Sequence, residues 1–154
     1  MTEAPICRVV PYLTAADAKK AIRFYVEAFD AHEVNRQDTP DGKSVIHAEL
    51  SLFGSTVMVS DDFVEMNAGK ARTAKALGGT PVMIALLVPD ADVVWARATR
   101  AGAKVVMPLA DQFWGDRFGM LEDPEGIRWS VSTPVRRATD KELRAGAEKH
   151  FGPA

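Results

Sequence analysis

His47 and Glu49 lie two apart in a stretch, 44–52, where polar and apolar residues alternate. Alternation with a period of two marks a strand, so these side chains share one face. Imidazole titrates near neutral pH, and a carboxylate beside it fixes its tautomer. The pair therefore reads as a general base with an orienting acid, or as two ligands of an off-pattern metal site. A local His–Glu contact on a solvated strand face is the plainer alternative. A second concentration of chemistry lies in 111–133, which holds Phe113, Trp114, Arg117, Arg128, Trp129 and Ser130 around the turn Asp123-Pro124-Glu125-Gly126. The guanidinium forks of Arg117 and Arg128 suit carboxylate or phosphate ligands. Pairing with Asp116, Glu122 or Asp123 is the structural alternative. Phe113 and Trp114 precede a strand, at the rim; a place in the core is the plainer reading of Trp114 and Trp129. Met58 and Met83 offer soft, adaptable pocket walls.

The elements that would carry these groups follow from periodicity. A β-branched apolar run, 6–13, is a strand, with Pro11 pointing to an edge or bulge. Thr14-Ala15-Ala16-Asp17 resembles a capping box. Ala18, Ala21, Ile22, Tyr25, Ala28 and Phe29 recur at helical spacing. A strand at 31–37, a turn at 39–42 and a hairpin of 44–52 with 55–60 come next. In that hairpin Ile46, Ala48, Leu50, Leu52, Val57 and Val59 are expected to share the apolar face. Residues 61–81 break the pattern and read as a linker or mobile loop, with room for a short helical turn. The first theme then returns as strand 82–88, helix 93–100 capped by Asp90 or Asp92, a stop at Gly102, strand 103–107, loop 108–112 and a final hairpin. This is an internal repeat of about fifty residues per unit. Thr139 to Glu142 forms a capping box for a C-terminal helix. The expected divisions are a first βαβββ module at 1–62, a linker at 63–81, a second module at 82–134, and a helix and tail at 135–154. Together they form one α+β domain.

The bulk numbers exclude several classes. A net charge of −2 leaves no electrostatic footprint for nucleic acid. No apolar run is long enough to span a bilayer. The N-terminus lacks the pattern of a signal peptide, and the single cysteine, Cys7, fits a reducing compartment. Cytoplasmic location is the expectation. Cys7 itself reads as a buried structural thiol.

Several motifs carry a resemblance. They are Val10-Pro11-Tyr12-Leu13, Ala21-Ile22-Arg23-Phe24-Tyr25, Ile46-His47-Ala48-Glu49-Leu50, Trp114-Gly115-Asp116-Arg117, Asp123-Pro124-Glu125-Gly126 and Trp129-Ser130. On these the chain resembles the vicinal oxygen chelate superfamily, in its PhnB-like glyoxalase/bleomycin-resistance branch. The resemblance implies a curved mixed sheet around a cup, with helices outside, and a homodimer. It places the superfamily's four metal-ligand positions at Val10, Met58, Met83 and Ser130, which are not an ordinary donor set for a divalent ion. The expectation is therefore no metal and no cofactor. A small organic ligand would be bound or sequestered by Tyr12, Met58, Met83, Phe113, Trp114, Arg117, Arg128 and Ser130. The alternative is a metal-independent, glyoxalase-like lyase or isomerase using His47 and Glu49. PhnB-like relatives often carry Phe at the position of Glu125 and His at those of Ala85 and Ile127.

Overall fold

The computed structural model describes residues 8–153. Cys7 and the start of the expected 6–13 strand lie outside the described residues. The described residues form two four-stranded mixed sheets and three α-helices in an α+β arrangement. The first module is β1 (Tyr12–Ala15), α1 (Ala18–Phe29), β2 (His32–Asp38), β3 (Val45–Leu52) and β4 (Ser55–Asp61). The second is β5 (Met83–Leu87), α2 (Ala91–Arg100), β6 (Lys104–Asp111), β7 (Asp116–Glu122) and β8 (Arg128–Pro134). Helix α3 (Asp140–Phe151) follows. The strand orders are β1-β4-β3-β2 and β5-β8-β7-β6, so each module has the same topology, with one parallel pair and two antiparallel pairs. Among the described residues no helix is long and apolar enough to cross a membrane.

Local chemistry explains the element ends. Asp17 is the N-cap of α1, its carboxylate accepting from the Lys20 N–H. Thr14 stays in β1, so the expected capping box is corrected to a single-residue cap. The strand itself starts at Tyr12 and runs to Ala15, later than expected; Pro11 only lends its carbonyl to the Met58 N–H. Asp30 closes α1 in the left-handed region and accepts from Arg97 of α2 at 3.0 Å. Phe53 and Gly54 both take positive φ, which joins β3 to β4 in the tight turn that matches strand twist. Helix α3 has both arms of its capping box at Thr139 and Glu142.

Three further expectations are corrected. Ile46 is exposed, and Val45 takes the buried place instead. The β2–β3 ladder steps from Gln37–His47 to Asp38–Val45, skipping Ile46, and Asp61 accepts the Val45 N–H at 2.6 Å. The skipped residue is a bulge, which reverses local alternation. Residues 108–111 are not loop but the end of β6, which carries Pro108 within the second of its two register shifts. Proline is tolerated there because β6 is an edge strand. The 61–81 segment is more anchored than a free linker. It contains a 3-10 turn at Val64–Asn67, its Arg72 N–H bonds Asp62, and Thr73 and Ala74 are buried.

The core lies where α1 and α2 meet, each backed by a sheet. Tyr25 and Phe29 of α1 pack on Trp129 of β8, with ring centroids 5.3 and 4.7 Å away. Each such side chain contributes on the order of 2–3 kcal/mol by burial. Asp123, in the β7–β8 turn, lies beneath them. Its carboxylate accepts from the Tyr25 hydroxyl (2.8 Å), the Trp129 indole N–H (2.9 Å), and the backbone N–H groups of Glu125 and Ile127 (both 2.9 Å). Burial pushes the Asp123 pKa up while these four bonds pull it down. Burial, reinforced by the Asp123 charge, holds the Tyr25 phenol well above its ordinary value. Next to it Glu125 accepts the Ala16 N–H at 2.7 Å, so the turn grips the β1–α1 junction as well.

Asp123→Asn keeps the shape but replaces an acceptor oxygen with a donor. The Trp129 N–H then has no acceptor, and an orphaned buried donor costs about 1–3 kcal/mol. Urea unfolding of this variant is expected to show that loss. For Tyr25, native protein holds its phenolic proton to higher pH than the unfolded chain does. Stability should therefore be intact below pH ~10 and fall as pH rises beyond it. Melting curves from pH 8 to 11 should show this fall, and Tyr25→Phe should flatten it.

Candidate functional site

On β4 the buried residues are Val57 and Val59, which face α1, so Thr56, Met58 and Ser60 face the other way. Met58 lies between Tyr12 on β1 and Glu49 on β3 in one rung of the sheet. His47 projects from the same face, two residues along from Glu49. The Tyr12 hydroxyl is 2.8 Å from His47 Nδ1, and the two rings meet edge to face at 5.4 Å. His47 Nε2 is 3.6 Å from Glu49 Oε1. In the tautomer that carries its proton on Nε2, toward Glu49, Nδ1 accepts from the Tyr12 O–H. Phenol, imidazole and carboxylate thus form a continuous row across β1 and β3. Tyr12 is 53% exposed, so this row borders open space.

The second sheet presents a different open face. On β8 Trp129 and Val131 face the core, so Ser130 points to the opposite side, between Ala85 of β5 and Met120 of β7. Ser130 is itself buried by these neighbours, whereas Met83 and Leu87 on the edge strand β5 are exposed. Two clefts run along the seam between the modules. One of about 610 Å³ is lined by Val10, Pro11, Phe53, Met83 and Leu87 among others. The other, about 380 Å³, is lined by Tyr12, Thr14, Arg72, Leu77, Ile84 and Ile127 among others.

The expected ligand-contacting residues separate into groups. Tyr12, Met58, His47 and Glu49 share one face, as above. Met83 shares the larger cleft with Val10. Arg128 pairs across strands with both Met83 and Glu122 and is exposed, with no ion pair among the described residues. Arg117 is occupied: Asp92 accepts from it twice, at 2.6 and 2.8 Å, and Asp111 once at 3.1 Å. Asp92, then Asp111, push the Arg117 pKa further up, and Arg117 holds the Asp92 carboxyl below its ordinary value. These partners are not the acids the sequence suggested. Phe113 is not a free rim aromatic, because α3 lies on it: its ring is 5.2 Å from that of His150 and fills the space beside Gly146. Trp114, half-buried, packs edge-on to Phe113 and Phe118.

Val10, Met58, Met83 and Ser130, the residues expected at the superfamily's ligand positions, are not a donor set that fits a hard or borderline divalent ion. Among the described residues no group of three or more His, Cys, Asp or Glu side chains is placed to hold a metal ion. The role of Tyr12 toward His47 was not visible in the sequence. The two lie 35 residues apart on strands separated by β4, so only the strand order brings them together.

Two βαβββ modules with open sheet faces define a class of cup-forming proteins. The family model described as Glyoxalase/Bleomycin resistance protein/Dioxygenase superfamily matches residues 8–131, and the chain belongs to that superfamily. An uncharacterized protein of Mycobacterium tuberculosis (strain H37Rv) is 51% identical over 135 residues, covering 88% of this chain and 79% of that one. The crystal structure of TioX from Micromonospora sp. ML1 is similar with a TM-score of 0.65 and 31% identity, covering 84% of this chain and 99% of that one. A PhnB protein from Bacillus cereus shares the fold at a TM-score of 0.64 and 22% identity, over 82% and 99% of the two chains.

Gly146→Ala tests the seat of α3. In an exposed helix this change gains about 1 kcal/mol. Here any Cβ would fall within the Phe113 ring, so a loss of about 1–3 kcal/mol from overpacking is expected, read as a lowered melting temperature.

Proposed function

We propose that this protein binds a small organic molecule, sequestering it in a cup between the two kinds of sheet face, without a metal or other cofactor. The observation that carries this is the pair of uncovered faces, with Tyr12, Met83 and Leu87 at 53%, 42% and 74% exposure. Such apolar surface on edge strands is what a ligand or partner covers. Met58 and Met83 supply adaptable walls, Ser130 a hydroxyl, and Arg128 a cation at the mouth. Trp114 offers what remains of its exposed face, while Phe113 and Arg117 act behind it as supports. A second copy of the chain completes the cup, making the working unit a homodimer in the cytoplasm.

Light scattering at micromolar concentration is expected to give twice the chain mass; a monomer would remove the shared cup. Titration with bleomycin and a panel of planar aromatic compounds is expected to quench tryptophan fluorescence. Met83→Arg should abolish that quenching in folded protein, and unchanged quenching would sink the proposed pocket.

The 3.6 Å approach of His47 to Glu49 supports a second function, proton transfer on a small carbonyl or oxyanion substrate. In that case His47→Ala should lower kcat by about 10²-fold or more. Wild-type turnover in the variant would leave binding alone.

A further inference from the structure

We infer that Tyr12, His47 and Glu49 form a proton relay whose reacting end is the Tyr12 oxygen, and that its substrate is a small anionic carbonyl compound held by Arg72. This deepens the proton-transfer function and rests on it. The relay follows from geometry. A hydroxyl 2.8 Å from an imidazole nitrogen, with a carboxylate near the far nitrogen, is the arrangement that activates hydroxyl groups in catalysis. Tyr12 is 53% exposed and lines the smaller cleft, which places it where a substrate can touch it.

The cleft it lines indicates the substrate. Its walls are largely apolar, with Leu77, Ile84 and Ile127, and the exposed Arg72 is among the residues that line it. Among the described residues Arg72 has no carboxylate within ion-pair distance; only its backbone N–H is engaged, by Asp62. A guanidinium with no carboxylate partner, on a residue that lines an apolar cleft, suits a carboxylate-bearing molecule. The step balances without a co-reactant. His47 Nδ1 takes the phenolic proton and becomes imidazolium beside Glu49. The Tyr12 oxygen removes a proton from the carbon next to the substrate carbonyl, and the C–H electrons move to the carbonyl oxygen as an enolate. Return of a proton to carbon or oxygen gives the isomer and restores the relay.

The chain has two tyrosines, and Tyr25 is buried against Asp123, so it serves as an internal control. An aryl sulfonyl fluoride is the probe, with the labelled residue located by peptide mass. Tyr12 is expected to react about 10-fold faster in the wild-type protein than in His47→Gln, with Tyr25 unlabelled. Equal rates overturn the relay, whether or not the fluorescence titration finds a bound ligand. Glu49 is a positioning residue, and nitrogen NMR of His47 reads its role. The wild type should carry its proton on Nε2, and Glu49→Gln should lose that preference; a proton on Nδ1 in the wild type overturns the assignment. Pyruvate at millimolar concentration should slow Tyr12 labelling in the wild type and not in Arg72→Gln. Absence of protection in the wild type, or equal protection in both, overturns the substrate class.

Discussion

Everything in this chain that faces outward depends on one carboxylate that faces inward. Asp123 collects four hydrogen bonds, two from its own turn, one from Trp129 of the same module and one from Tyr25 of the other. Removing a carboxylate from water is costly unless its lone pairs are used. Here the cost is offset only when both modules are in place, because the Tyr25 hydroxyl arrives on α1. The helix must then lie with Tyr25 and Phe29 on the Trp129 ring. With α1 fixed, the backing of the first sheet is fixed, and so is the direction in which Tyr12, His47 and Glu49 project. Glu125 adds a second grip two residues away, on the Ala16 N–H. The turn thus works as a clasp between halves that share a topology but differ in content.

That difference in content is what the repeat allows. In the first module the open face carries phenol, imidazole and carboxylate. In the second it carries Met83, Leu87 and Met120, with Ser130 sunk among them. Both faces come from strands in the same order, so the backbone offers equivalent positions and the side chains diverge. One face is polar and ionisable, and the other is largely apolar.

Much of the fold was legible in the residues. Helical spacing in Ala18 to Phe29, alternation in β3 and β4, and the turn signals at 39–42 and 123–126 each reflect a short-range constraint, and each element formed. What was not legible depended on distant partners. Ile46 fits the apolar alternation, yet Asp61 captures the neighbouring Val45 N–H and displaces it. Arg117 was visible as a cation, but its acids, Asp92 and Asp111, come from a helix and an edge strand. The sequence marked Phe113 as aromatic and could not show that Gly146, far along the chain, leaves room for it. The shared face of His47 and Glu49 was legible because their spacing is local. Tyr12 as their third member depended on strand order. The buried role of Asp123 was hidden because an acid in an Asp-Pro-Glu-Gly turn ordinarily faces water.

The outer strands bear on how such a molecule can meet others of its kind. β2 is exposed along most of its length and carries His32, Glu33, Arg36 and Asp38, while β6 interrupts its ladder with Pro108 and two register shifts. A neighbouring strand adding to either rim would meet charge, a missing donor or a broken register. Extension of the sheets sideways into a stack of chains is thereby discouraged at both outer rims. The open broad faces carry no such obstruction. Crowded copies of this protein are therefore steered away from fibre-like growth along those two rims.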